Sequence, residues 1–171
     1  MAKVAVIMIA LSPVCAFGET DMTTTVITIT GPARIIDGDT LEILGEVHRL
    51  HGIDAPERAQ TCQTHDGGMW LCGRRASQAL RDHVAGRDVT CYGANPGKSL
   101  GRYGRHISKC YVHDQDVGAW MVSQGWALAY RRYADDYVHR EVFAKGGRRG
   151  LWSGGFIPPW IWRRTKSRKS R

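Results

Sequence analysis

Val47-His48-Arg49-Leu50-His51-Gly52-Ile53-Asp54-Ala55-Pro56-Glu57 sets a short β-rich run against a turn that carries two carboxylates. Leu50 and Ile53 suit a core, while Arg49 near one end and Asp54 and Glu57 at the other project away from it. Pro56 restricts Ala55 to an extended backbone, which holds the Ala55 carbonyl and the Asp54 carboxylate in fixed relation. Upstream, residues 23–30 alternate Val, Ile and Thr before Gly31-Pro32, and Arg34 to Ile36 and Thr40 to Leu44 are further short strands punctuated by Asp-Gly and Gly. Downstream, Ala76, Leu80 and Val84 recur at helical spacing over Gly73 to Val84, and Gly86 supplies the stop. Val89 to Tyr92 and His106 to His113 return to strand character, and Val117 to Gln124 and Asp135 to Ala144 read as two more helices. Strands come first, with helices inserted and appended. That order predicts an α+β domain built around a small antiparallel barrel.

The 171 residues hold 24 Lys+Arg against 16 Asp+Glu, a formal net charge of +8. With 43% hydrophobic and 23% charged residues, the chain can bury one ordinary core, so neither a disordered nor a fibrous protein fits. The charge implies an anionic partner, a nucleic acid or a membrane surface, and cannot choose between them. Residues 1–18 differ from the rest: Lys3 precedes an apolar stretch from Val4 to Phe17, and Ala16 and Gly18 give a plausible cleavage spacing before Glu19. The pattern predicts a signal peptide and hence a periplasmic or secreted chain with no membrane span after cleavage. Residues 19–155 then form the domain, and residues 156–171 a Trp-, Arg- and Lys-rich tail in which six of the last nine residues are basic.

Beyond the leader stand Cys62, Cys72, Cys91 and Cys110. Export and an even number favour disulfides, with three connectivities open, and proximity favours Cys62 with Cys72 and Cys91 with Cys110. A zinc site of Cys62, His65 and Cys72 is the rival, but no fourth ligand follows at a finger-like spacing.

Two further pieces carry chemistry. In Ile36-Asp37-Gly38-Asp39-Thr40, Asp37 and Asp39 are two apart, so an extended backbone points both carboxylates to one face, a reasonable nest for a hard divalent cation. In Gly101-Arg102-Tyr103-Gly104-Arg105, glycines flank an Arg-Tyr pair in a loop suited to closing over an anion.

Taken in order, the three pieces resemble the staphylococcal nuclease (thermonuclease-like) family. The resemblance covers roughly residues 25–153 and includes Gly125-Trp126-Ala127 after a helix and Gly150-Leu151-Trp152 closing the last one. It implies a five-stranded OB-fold barrel with about three helices, and calcium-dependent hydrolysis of DNA and RNA phosphodiesters. Carried onto this sequence, it implies Asp39 and Asp54 as calcium ligands with the Ala55 backbone carbonyl, and Asp37 as a weaker contributor. It implies Glu57 for positioning or deprotonating water, and Arg49 and Arg105 for gripping the scissile phosphate. The chain departs from the family at Ala55, where a hydroxyl residue is common, and in the Cys62 to Cys72 insert.

The residue types fit that chemistry independently. A phosphodiester resists hydrolysis because water is a poor nucleophile, the phosphate repels anions and the alkoxide leaves badly. A carboxylate that takes the proton and two guanidiniums that bind the growing charge answer those difficulties, and an oxygen-ligated cation polarises the phosphoryl group. Two metal carboxylates beside arginines favour a single ion. Arg102, Tyr103, Tyr130 and Tyr133 are the candidates for substrate binding, the tyrosines by stacking bases. A DNA or RNA substrate and no stable protein partner, hence a monomer, are expected. The alternative is an OB-fold nucleic-acid-binding module without turnover, which needs the basic residues but has no use for carboxylates beside a phosphate.

Overall fold

The structure, a computed structural model, describes residues 26–94 and 104–169. Its frame is β1 (Val26–Ile35), β2 (Thr40–Ile43) and β3 (Glu46–Leu50), followed by the two-residue strands β4 (Ile53–Asp54), β5 (Cys62–Gln63) and β6 (Met69–Trp70). Then come α1 (Cys72–Val84), β7 (Asp88–Ala94), β8 (His106–Val112), β9 (Gln115–Asp116) and α2 (Val117–Ser123). The chain continues through β10 (Leu128–Ala129), α3 (Val138–Gly146), a 3-10 turn at Gly150–Ser153 and α4 (Pro159–Lys169).

Five strands, in the order β3-β2-β1-β7-β8, close into a barrel because β3 also pairs in parallel with β8, His48 opposite His106 and Leu50 opposite Ser108. Closure leaves these strands no free edge to template association. The α+β, OB-fold reading holds. Period-two alternation explains which side chains fill the barrel: along β8, Ser108, Cys110 and Val112 are buried, and along β3, His48 and Leu50. Arg49 lies between those two and so turns off the core face. Leu41, Ile43, Leu50, Val89 and Val112 join Ala76, Leu80 and Val84 of α1 and Val117, Met121 and Val122 of α2 in one core. Each fully buried aliphatic side chain there contributes roughly 1.5–3 kcal/mol.

Three expected boundaries move for identifiable reasons. Gly31-Pro32 does not end a strand. β1 runs through it and exchanges β7 for β2 as its partner, since residues Val26 to Pro32 pair with β7 and Ala33 to Ile35 with β2. The strand expected from Val47 to Ile53 breaks at His51-Gly52, and Ile53–Asp54 pair instead with Leu128–Ala129. The last expected helix, Asp135 to Ala144, starts at Val138, after a turn in which the Tyr137 hydroxyl donates to Asp116 at 2.8 Å.

Both disulfides form with the pairing that proximity favoured: Cys62–Cys72 with Cα atoms 5.6 Å apart, and Cys91–Cys110 directly across β7 and β8 at 4.0 Å. The insert is therefore a cystine-closed hairpin, not a zinc site. It grips the C-terminal segment, since Gln63 and Gly155 exchange backbone hydrogen bonds of 2.7 and 3.0 Å and the Gln60 side-chain amide donates to the Ile157 carbonyl at 2.7 Å. Beyond it lies a fourth helix, α4, in the region read as a tail. Pro159 opens it, a position where the missing N–H costs nothing, and Trp160 packs with Leu128, Leu151, Trp152, Phe156 and the Cys62–Cys72 bridge in a second, smaller core. Among the described residues, no helix is long and apolar enough to cross a membrane.

Candidate active site

The acidic turn after β1 is held by close approach. A Cβ added to Gly38 would stand 2.7 Å from the Ala55 Cβ and 3.2 Å from the Ala76 Cβ, so only glycine lets this turn rest against α1 and the Ala55 loop. The neighbouring acids thereby meet that loop. Asp39 is buried, and its carboxylate accepts from the Ala55 N–H at 3.0 Å, the Thr40 hydroxyl at 2.9 Å and Arg49 Nη1 at 2.8 Å. The Asp39 N–H in turn donates to Asp37 at 3.1 Å. Asp54, at 0% exposure, accepts from Arg49 Nη2 at 2.7 Å. One guanidinium therefore bridges carboxylates from two separate stretches, which lie on the same side of the barrel.

Glu57 sits on the loop between β4 and β5. Its carbonyl would be 1.8 Å from a Cβ at Gly73, so α1 can begin against this backbone only because residue 73 has no side chain. Gln60 accepts from the Glu57 N–H at 3.3 Å. A cavity of about 240 Å³ is lined by Asp37, Asp39, Arg49, Ala55 and Glu57, and by Arg105 just before β8. Tyr130 and Tyr133 line its rim. Tyr130 is fixed there because β10 pairs with β4 and its N–H donates to the Gly52 carbonyl at 2.8 Å. Thus Asp37, Asp39, Arg49, Ala55, Glu57, Arg105, Tyr130 and Tyr133 come together. Arg102, Tyr103 and the leader at residues 1–18 lie outside the described residues.

Sequence reading missed Arg163. From α4 it donates Nη2 to Asp54 Oδ2 at 2.8 Å, Nη1 to Asp54 Oδ1 at 3.1 Å, and Nη1 to Glu57 at 2.8 Å. The available signal was Pro159 in a first-turn position, with Trp160 and Arg164 following four residues apart.

The electrostatics show what the acids lack. Burial, then repulsion from Asp39, pushes the Asp37 carboxyl up to about 6. Burial also raises Asp54, though Arg163 and Arg49 pull it back. Burial works against the charged form of Arg49, but Asp39 and Asp54 outweigh it and hold its guanidinium more firmly protonated. Asp39 already has Arg49 as its counter-charge, so the carboxylate left short of positive charge is Asp37, which enters no ion pair among the described residues; a hard oxygen donor of this kind suits a hard divalent cation. Among the described residues, no three acidic, histidine or cysteine side chains are already gathered as a metal-binding group. No histidine is among the residues that line this cavity: His48 bonds Ser108 inside the barrel at 2.9 Å, and His83 stacks on Trp120.

Residues 48–154 match the family model described as staphylococcal nuclease homologue. An uncharacterized endonuclease of Escherichia coli O157:H7 is 36% identical over 141 residues, covering 78% of this chain and 83% of its own length. The micrococcal nuclease of Shigella flexneri is 35% identical over 151 residues, covering 77% and 78%. The succinoglycan biosynthesis protein ExoI of Rhizobium meliloti is 36% identical over 129 residues, and the match spans 72% of this chain and 64% of that relative.

Proposed function

The chain belongs to the staphylococcal nuclease homologue family, and from that footing we propose that it is an exported, calcium-dependent nuclease that hydrolyses DNA, RNA or both with little sequence preference. The nuclease names of its relatives from E. coli and Shigella support the hydrolase class. The observation that carries the reading is the meeting of Asp39 and Asp54 across Arg49, with Asp54 buried behind a cavity that Asp39, Arg49, Glu57 and Arg105 line. A binding module needs no such carboxylates, because they repel the phosphate it would hold.

Each residue has a role in this reading. Glu57, with one oxygen tied to Arg163, takes a proton from the attacking water through the other, for which the described residues offer no partner. Arg49 and Arg105 receive the nonbridging phosphate oxygens as negative charge grows, through the planar fork that lysine lacks. Tyr130 and Tyr133 give the flanking bases a stacking surface at the rim. Asp39, Asp54 and the Ala55 carbonyl would hold calcium, with Asp37 contributing more weakly. When bound, calcium supplies Lewis-acid polarisation of a phosphoryl oxygen. Two disulfides agree with an oxidising compartment outside the cytoplasm.

The test is cleavage of single- and double-stranded DNA and of RNA by the purified chain, with calcium or with chelator, beside Glu57→Gln. Calcium-dependent cleavage by the wild type is expected. In the variant, a loss of about a hundredfold or more is expected, with oligonucleotide binding retained. Wild type that binds but never cuts, or a variant that cuts normally, would overturn the assignment.

A further inference from the structure

We propose that the groove between α4 and the Tyr130–Tyr133 segment is a second nucleic-acid subsite, which carries a single strand as it leaves the cleavage site. The proposal rests on the nuclease reading and extends it to a helix beyond residues 48–154, the part that matches the family.

Continuity is the first argument. Tyr130 lines both the acidic cavity and a neighbouring groove of about 280 Å³, whose other walls are Arg131, Arg132, Trp160 and Arg164. A strand with its reacting phosphate beside Arg49 and Arg105 can therefore pass Tyr130 straight into this groove. Arg163 fixes the helix in register: its ion pairs with Asp54 and Glu57 pin α4 at the catalytic carboxylates. Trp160 and Arg164 are four residues apart and so share one helix face. The Trp160 ring lies on the Tyr130 ring, centroids 5.4 Å apart and planes within 15°.

Charge is the second argument. α4 contains no acidic residue. Among the described residues, neither Arg132 nor Arg164 enters an ion pair, and both are exposed. Arg131 is held at the wall by Glu141, a buried carboxylate that also accepts from the Ala129 N–H at 3.0 Å. Exposed guanidiniums around a rigid pair of aromatic rings fit a ligand with anionic links and flat bases. Single-stranded nucleic acid has both, whereas a duplex hides its base faces.

The experiment measures fluorescence anisotropy of end-labelled oligothymidylates with the whole chain in chelator, where no cutting occurs. A dinucleotide, whose one phosphodiester sits at the catalytic cavity, is compared with a dodecanucleotide that reaches α4. The wild type should hold the longer strand more tightly. The double variant Arg132→Gln/Arg164→Gln should lose on the order of tenfold for the dodecanucleotide and nothing for the dinucleotide, and its log–log salt slope for the dodecanucleotide should fall by about 0.7 for each arginine removed. Both side chains are exposed, so folding survives the change, and urea unfolding checks it. Unchanged dodecanucleotide affinity and slope would overturn the subsite. Length-dependent binding by a wild-type chain that leaves DNA intact with calcium would retain the subsite and sink the nuclease reading. Calcium-dependent cleavage with a double variant that binds like wild type would do the reverse.

Discussion

Arg163→Ala tests how the acids of the site are held. Asp54 is wholly buried, and the substitution removes two of its charge-assisted hydrogen bonds, at 2.8 and 3.1 Å, leaving Arg49 at 2.7 Å. Such bonds contribute about 1.5–3 kcal/mol each. The Arg163 side chain is 37% exposed, so solvent screening takes back a good part, and the equally exposed Glu57 partner adds less than about 1 kcal/mol. A loss of about 2–3 kcal/mol at neutral pH is expected. The pH dependence has a definite sign. Burial already raises the Asp54 carboxyl and Arg163 opposes that rise, so the variant raises it further. A carboxyl whose folded value exceeds its unfolded one gives full stability in acid and loses it as pH climbs from the unfolded value, near 4, through the folded value. Both proteins lose this contribution in parallel up to the wild type's folded value, so the variant's deficit is small near pH 4, opens between the two folded values and is larger at neutral pH. Urea unfolding of both proteins in chelator, near pH 4 and near pH 7.5 at fixed salt, reads it. A deficit below about 0.5 kcal/mol at neutral pH, or one equal at both pH values, refutes the account.

Asp37→Asn removes a carboxyl held up to about 6 by burial and by Asp39, so the wild type should lose stability relative to the variant between about pH 4 and 6, by at most about 3 kcal/mol; parallel unfolding curves across that range would remove the repulsion. Arg49→Lys keeps charge but cannot bridge Asp39 and Asp54 with two arms, and steady-state kinetics should show kcat down about a hundredfold to a thousandfold. Thiol titration of the denatured, unreduced mature chain should find no reactive group at Cys62, Cys72, Cys91 or Cys110. Reduction should destabilise the fold by about 3 kcal/mol per closed loop, measured as a shift in the urea midpoint.

The barrel was legible because its physics is local. Alternation in residues 106–112 and the apolar spacing of Ala76, Leu80 and Val84 describe faces that need only one neighbour to be buried. The separate acidic stretches were legible because glycine and proline at Gly38 and Pro56 mark turns, but Asp54 does not project from its turn as expected: it and Asp39 are buried, because Arg49 pairs with both. Misreadings came where punctuation has two meanings. Gly31-Pro32 can end a strand or let it change partners, and only the positions of β2 and β7 decide. α4 was harder to read for a different reason: beyond the signal at Pro159 it docks through Trp160 and one guanidinium, without an apolar stripe, so its sequence resembles a solvated tail. Arg163 is 109 residues from Asp54, and no local pattern joins them.

That long span sets an order of assembly. Ribosomes build from the amino end, so every barrel strand and all four acids, Asp37, Asp39, Asp54 and Glu57, exist well before residue 163 does. A nascent chain thus carries its full set of negative groups while one of their counter-charges is still unmade, and α4 cannot be latched in place until translation has passed that codon.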